Sequence, residues 1–115
     1  MAKRTASAVW EGELIGGTGM ISSGTGAFGN LPVTWAARTE DPQGMTSPEE
    51  LIAAAHASCF AMALSIVLAE AKATPEQLFV RARCTLDVPV DPVWALSISG
   101  RVDPHRPAAG HGHDR

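Results

Sequence analysis

Ala6, Ala8, Trp10, Gly12 and Leu14 alternate with Ser7, Val9, Glu11 and Glu13, and this period of two predicts a half-buried strand with Trp10 facing inward. A second strand is expected around Gly19 to Ser23, paired with the first. The stretch Gly24-Thr25-Gly26-Ala27-Phe28-Gly29-Asn30 breaks the rhythm. Leu31, Val33, Trp35 and Ala37 resume it, so an N-terminal antiparallel meander is expected.

The pattern changes after the turn Asp41-Pro42-Gln43-Gly44. Ser47, Pro48 and Glu50 predict a capping box: the Ser47 hydroxyl accepts from the Glu50 N–H, Glu50 reaches back to the Ser47 N–H, and Pro48 suits the first helical position. From Leu51 to Ala69 no Asp, Glu, Lys or Arg interrupts the run, which predicts a long central helix, buried on most of its circumference and extending to about Lys72. Thr74-Pro75-Glu76 marks the next turn. Beyond it Leu78, Val80, Ala82, Cys84, Leu86 and Val88 form one face, against Arg81, Arg83, Thr85 and Asp87 on the other. Val88-Pro89-Val90-Asp91-Pro92 ends that strand, and Trp94, Leu96, Ile98 and Val102 continue the rhythm in a second, making a hairpin. The fold class expected is therefore α+β, in one domain over residues 1–102. From Asp103 to Arg115 no large apolar residue occurs, and a disordered tail is expected.

Composition narrows the function. At 115 residues and 45% hydrophobic content, the chain suits one modest domain. A net charge of -3 offers no basic surface for neutralising a nucleic acid, which is therefore excluded as a partner. Lys3 and Arg4 are not followed by an apolar segment, so no secretory signal is expected and the chain is assigned to the cytoplasm. The run from Leu51 to Ala69 is long enough on paper to span a membrane. Its alanine richness, with His56, Ser58, Cys59 and Ser65, fits a buried core helix better, so no membrane partner is expected. Gly24, Gly26 and Gly29 spell a dinucleotide fingerprint, but a strand follows where that motif needs a helix. A loop between strands is the better reading, and no cofactor is called for.

Cys59, inside the uncharged helix, is the candidate for chemistry. A buried cysteine among alanines is ordinarily inert packing, because apolar surroundings disfavour the thiolate. The run from Thr46 to Ser65 nevertheless resembles the central-helix signature of the OsmC/Ohr family of thiol-dependent hydroperoxide reductases. His56, three positions before Cys59, matches the OsmC branch, and Trp10-Glu11-Gly12 and Arg38 also fit. The resemblance covers about Ala8 to Val102. It implies a homodimer with active sites at its interface and a peroxidase of organic hydroperoxides, less well of hydrogen peroxide, in oxidative or osmotic stress defence.

On that resemblance Cys59 is the nucleophile, Arg38 the catalytic arginine and Glu49 the carboxylate holding it. A guanidinium can bridge thiolate and carboxylate, whereas composition alone would make Arg38 a solvated strand residue and Glu49 a charge favouring the helix N-terminus. Ten helical residues put the Glu49 and Cys59 backbones roughly 15 Å apart. Arg38 or Glu49 is therefore expected to reach Cys59 across a subunit boundary. For His56, thiolate stabilisation and an ordinary satisfied core histidine stand side by side. Phe60 and Met62 are expected to line an apolar substrate approach. No metal site is expected at His56 and Cys59, where further ligands at suitable spacing are not visible, and His111 and His113 look incidental.

Family members resembling this chain continue with a second helix and a resolving cysteine, neither of which is present here. Cys84 does not match that cysteine and reads as a small buried hydrophobe; whether it can pair with Cys59 is open. The oxidised Cys59 would then be recycled only by an external thiol or dithiol, of the lipoyl type in the family. Two other readings stand beside the enzyme: a catalytically impaired, truncated remnant, and a redox-sensing or apolar-ligand-binding dimer.

Overall fold

The computed structural model describes residues 1–87 and 95–103 and divides into two compact units, Met1–Leu51 and Ile52–Arg115. The first unit opens with β1 (Ala6–Glu11), β2 (Thr18–Ser23) and β3 (Leu31–Val33), an antiparallel sheet in the order β1-β2-β3. Ala8 faces Ile21 and Trp10 faces Gly19 across the first pair; Gly19 faces Val33 across the second. The expected meander is present. Gly19 is required there: a Cβ on it would stand 2.6 Å from Trp10 Cε3 and 2.8 Å from Val33 Cγ2, so the Trp10 ring lies flat across a position with no side chain. The glycine-rich segment is the β2–β3 loop, closed by the Ser23 N–H donating to the Phe28 carbonyl at 2.9 Å, as a connection between strands requires.

Two expectations fail in this unit. Trp10 is not buried as a half-buried strand would have it: it stays 41% exposed, lying over Gly19 on the side of an open apolar cavity. Trp35 and Ala37 do not continue β3; they belong to a short helix, α1 (Trp35–Thr39), which also carries Arg38. Thr34 starts that helix from an extended conformation, its hydroxyl accepting from the Ala37 N–H at 3.1 Å, and Ala36 and Ala37 favour the turn that follows.

The long helix α2 (Pro48–Glu70) begins where the capping residues place it. The Glu50 N–H donates to Ser47 Oγ at 3.2 Å, but the reciprocal half of the box is not made: Glu50 Oε1 instead accepts from Thr46 Oγ1 at 2.8 Å. The helix stops two residues short of the expected end. Lys72 takes a left-handed φ of 56°, its N–H donates to the Ala69 carbonyl at 3.0 Å, and the Ala73 N–H donates to the Leu68 carbonyl at 2.9 Å. Those two bonds form a Schellman ending and satisfy carbonyls that would otherwise be orphaned.

In the second unit α2 is followed by the antiparallel pair β4 (Phe79–Asp87) and β5 (Ala95–Asp103), with Cys84 opposite Ile98 and Leu86 opposite Leu96. Val80, Ala82, Cys84 and Leu86 are half-buried, while Arg81, Arg83, Thr85 and Asp87 are exposed, as the alternation predicts. The hairpin turn placed at Val88 to Pro92, Trp94, and the tail from residue 104 lie outside the described residues.

The expected burial of α2 is not met among the described residues. Ala53, Ala57, Ala61, Leu64 and Leu68, spaced by three or four, form a half-covered stripe. Met62 is 67% and Ile66 62% exposed. A helix apolar on all sides needs cover on all sides. Among the described residues, Ala37 and Glu49 are the buried side chains, so these residues supply little of that cover. By length and composition α2 is also apolar enough to cross a membrane.

Candidate active site

Arg38 and Glu49 meet within the first unit. The residues between them fold back through the turn at Asp41, whose carboxylate accepts from the Gln43 N–H at 3.1 Å, and this reversal brings the end of α1 to the start of α2. Arg38 Nε donates to Glu49 Oε1 at 3.0 Å and to Oε2 at 3.3 Å, while Nη2 donates to Oε2 at 2.9 Å. This is a forked, charge-assisted pair. The carboxylate side chain is 9% exposed and the guanidinium 30%, so Glu49 is the buried anchor and Arg38 the member still open to its surroundings. A carboxylate in the first turn also gains from the positive end of the helix, so the position suits Glu49 on two counts.

Beside the pair lies an apolar cavity of about 440 Å³. Trp10, Leu14, Val33, Trp35 and Leu51 line it, with Arg38 as its cation. A cavity of this size lies within the range that holds small organic ligands, and a single charged group in an apolar wall orients whatever enters. The rhythm of the sequence pointed to Trp10 as inward but gave no sign of a ligand-sized space. Trp35 was missed because it was read as strand, although Thr34 ahead of the helix-forming Ala36 and Ala37 was the available signal.

Cys59 lies at the middle of α2, in the second unit, as an exposed free thiol. It is not buried as expected. His56, one turn earlier, is also exposed, so the reading of it as a satisfied core histidine does not hold. Met62 borders a second cavity of about 310 Å³ with Ser65, Glu76 and Leu78; Phe60 is 44% exposed and does not line it. Cys84 is a half-buried free thiol on β4. Both cysteines are free thiols, and Cys59 is the more exposed of the two.

Known proteins resemble this chain in sequence and in fold. Residues 40–105 match the family described as OsmC-like protein. Over 94 residues the chain is 42% identical to Peroxiredoxin OsmC of Escherichia coli (strain K12), and to that of Shigella flexneri to the same extent. That alignment covers 82% of this chain and 64% of each relative, so the chain spans somewhat under two thirds of the curated relatives it matches. The crystal structure of an organic hydroperoxide resistance protein OsmC from Legionella pneumophila superposes with a TM-score of 0.62 at 22% identity. It covers 89% of this chain and 72% of that one, a likeness that bears on the fold.

Proposed function

The chain belongs to the OsmC-like family, and on that footing we propose that it is a cytoplasmic thiol-dependent peroxidase that reduces organic hydroperoxides, and hydrogen peroxide less well. The observation that supports this most is the forked Arg38–Glu49 pair beside an apolar cavity. The Cys59 thiolate attacks the terminal oxygen of ROOH, the O–O bond breaks, and the alkoxide takes a proton from solvent to leave as ROH. The sulfur is oxidised to a sulfenic acid. Arg38, a fixed cation, stabilises the thiolate and donates to the departing oxygen, while Glu49 holds its fork in place. One equivalent of an external thiol condenses with the sulfenic acid, releasing water and leaving a mixed disulfide; a second thiol, or the other arm of a lipoyl-type dithiol, frees Cys59.

The site we propose is shared between two copies. Cys59 is displayed on an uncovered apolar helix, and the Arg38–Glu49 pair borders an open apolar cavity. A homodimer that seats the Cys59 face of one copy against the Arg38 cavity of the other covers both surfaces at once. His56 then stands one turn from the thiolate, and Phe60 and Met62 border the path of the alkyl chain.

Subunit mixing tests this with cumene hydroperoxide and excess dithiol. Arg38→Ala and Cys59→Ser are each inactive alone. Refolded together at equal amounts, they should recover about a quarter of wild-type turnover, because half of the dimers carry one intact site. No recovery from folded mixed dimers sinks the shared site, and peroxide turnover by Cys59→Ser alone sinks the peroxidase.

A further inference from the structure

Trp10 is held in place without being buried. Its indole Nε1 donates to the Glu13 carbonyl at 3.2 Å, which ties one edge of the ring to the segment between β1 and β2. Against the benzo ring lies Gly19, where any Cβ would stand 2.6 Å from Cε3 and 3.1 Å from Cζ3. At Gly17 a Cβ would stand 2.9 Å from Nε1, so a second position is kept bare against the same ring. Even so, 41% of the residue remains open. A tryptophan recruited for the core would be covered, and one that only decorated the surface would need neither two glycines nor a hydrogen bond to fix its ring.

The fixed indole borders the apolar cavity of the first unit, and Trp35, half-buried at the start of α1, borders it too. Apart from Thr34 and Arg38, the rest of the lining is aliphatic. Aliphatic walls accept any apolar group, whereas an indole at a fixed orientation favours a flat ring, because offset-stacked and edge-to-face pairs gain beyond the area they bury. We infer that Trp10 is a specificity-determining residue, which gives the cavity a preference for ligands carrying an aryl group beside the oxygen-bearing carbon over saturated ligands of the same skeleton. The aryl group packs on Trp10, and the oxygen end turns to Arg38, the cation of the same wall. Every residue of this wall belongs to the first unit, so the preference is built into a single copy. Its consequence for turnover rests on the peroxidase reading; binding of an unreactive aryl alcohol does not, since it needs no thiol.

The test pairs 2-phenyl-2-propanol with 2-cyclohexyl-2-propanol, which share a skeleton and differ in the flatness of one ring. Binding of each to the full chain is followed by NMR titration. The cyclohexyl alcohol has the greater apolar surface, so a cavity that only excludes water takes it at least as well. Stacking on Trp10 should reverse that order, with the phenyl alcohol bound about three- to tenfold more tightly. Trp10→Leu should abolish the preference, while Trp10→Phe, which keeps a ring but not the bond to Glu13, should retain part of it. Circular dichroism confirms that each variant remains folded. In turnover, the ratio of kcat/KM for cumene hydroperoxide to that for its cyclohexyl counterpart should fall by the same factor in Trp10→Leu, a change of selectivity that a general structural defect would not produce. Equal binding of the two alcohols by the wild-type chain, binding of neither, or a preference that survives Trp10→Leu overturns the inference and leaves the peroxidase standing. Aryl-selective binding that Trp10→Leu abolishes, in a chain that consumes no peroxide, sustains the inference and sinks the peroxidase.

Discussion

Replacing Glu49 by glutamine keeps the size of the side chain and removes its charge. Two carboxylate oxygens take three bonds from Arg38, at 2.9, 3.0 and 3.3 Å. An amide turns one of those oxygens into a donor facing another donor, so at least one bond to a charged group is lost, worth about 1.5–3 kcal/mol. Arg38 is 30% exposed, and water recovers part of that loss. About 1–2 kcal/mol remains as the expected cost in urea denaturation. If the displaced guanidinium is equally misplaced in the transition state, kcat/KM for cumene hydroperoxide falls roughly 5- to 30-fold. The loss should appear mainly in kcat, because the cavity wall that binds the apolar part of the substrate is untouched. A Glu49→Gln variant within twofold of wild type would refute the assignment of Glu49 as the residue that positions Arg38.

Arg38→Lys keeps the charge but not the fork, so it should lower kcat/KM at least about tenfold in the same assay while the secondary structure stays intact. Gly19→Val drives a branched side chain into Trp10 and Val33; a loss of about 1–3 kcal/mol is expected in denaturant titration, with a blue-shifted or broadened Trp10 emission. Lys72→Gly relieves a left-handed backbone at the end of α2 and should raise stability by up to about 1 kcal/mol, read as a higher denaturation midpoint with unchanged slope.

How legible each element was depended on what covers it. The alternation in β4 was clear because one face of that strand is half-buried and the other wet, and the start of α2 was clear because Ser47 and Pro48 act locally. The helix α1 was hidden because Trp35 and Ala37 happen to continue the period of β3, and five residues are too few to display a helical period. Arg38 and Glu49 were singled out as candidates only through the resemblance; nothing in their spacing announces that a turn closes them into a fork. The burial of α2 was misjudged for a different reason. A sequence records that a helix is apolar, not which molecule supplies its cover.

That distinction bears on how the site is built. The Arg38–Glu49 fork is complete within the first unit, with its carboxylate already desolvated, so the cost of fixing the guanidinium is met during folding and not during reaction. Cys59, by contrast, stands exposed on a helix that is at most half-covered by the described residues over Ile52–Glu70. On the proposed reading, an isolated copy has a prepared cation without a dry site for the Cys59 sulfur. If a second copy covers the helix, the burial that stabilises the assembly also excludes water from the sulfur and strengthens its attraction to the guanidinium. Assembly and activation then become one event. A variant that disturbs the exposed face of α2 should lose both together, while one that disturbs only the fork loses turnover and keeps the dimer.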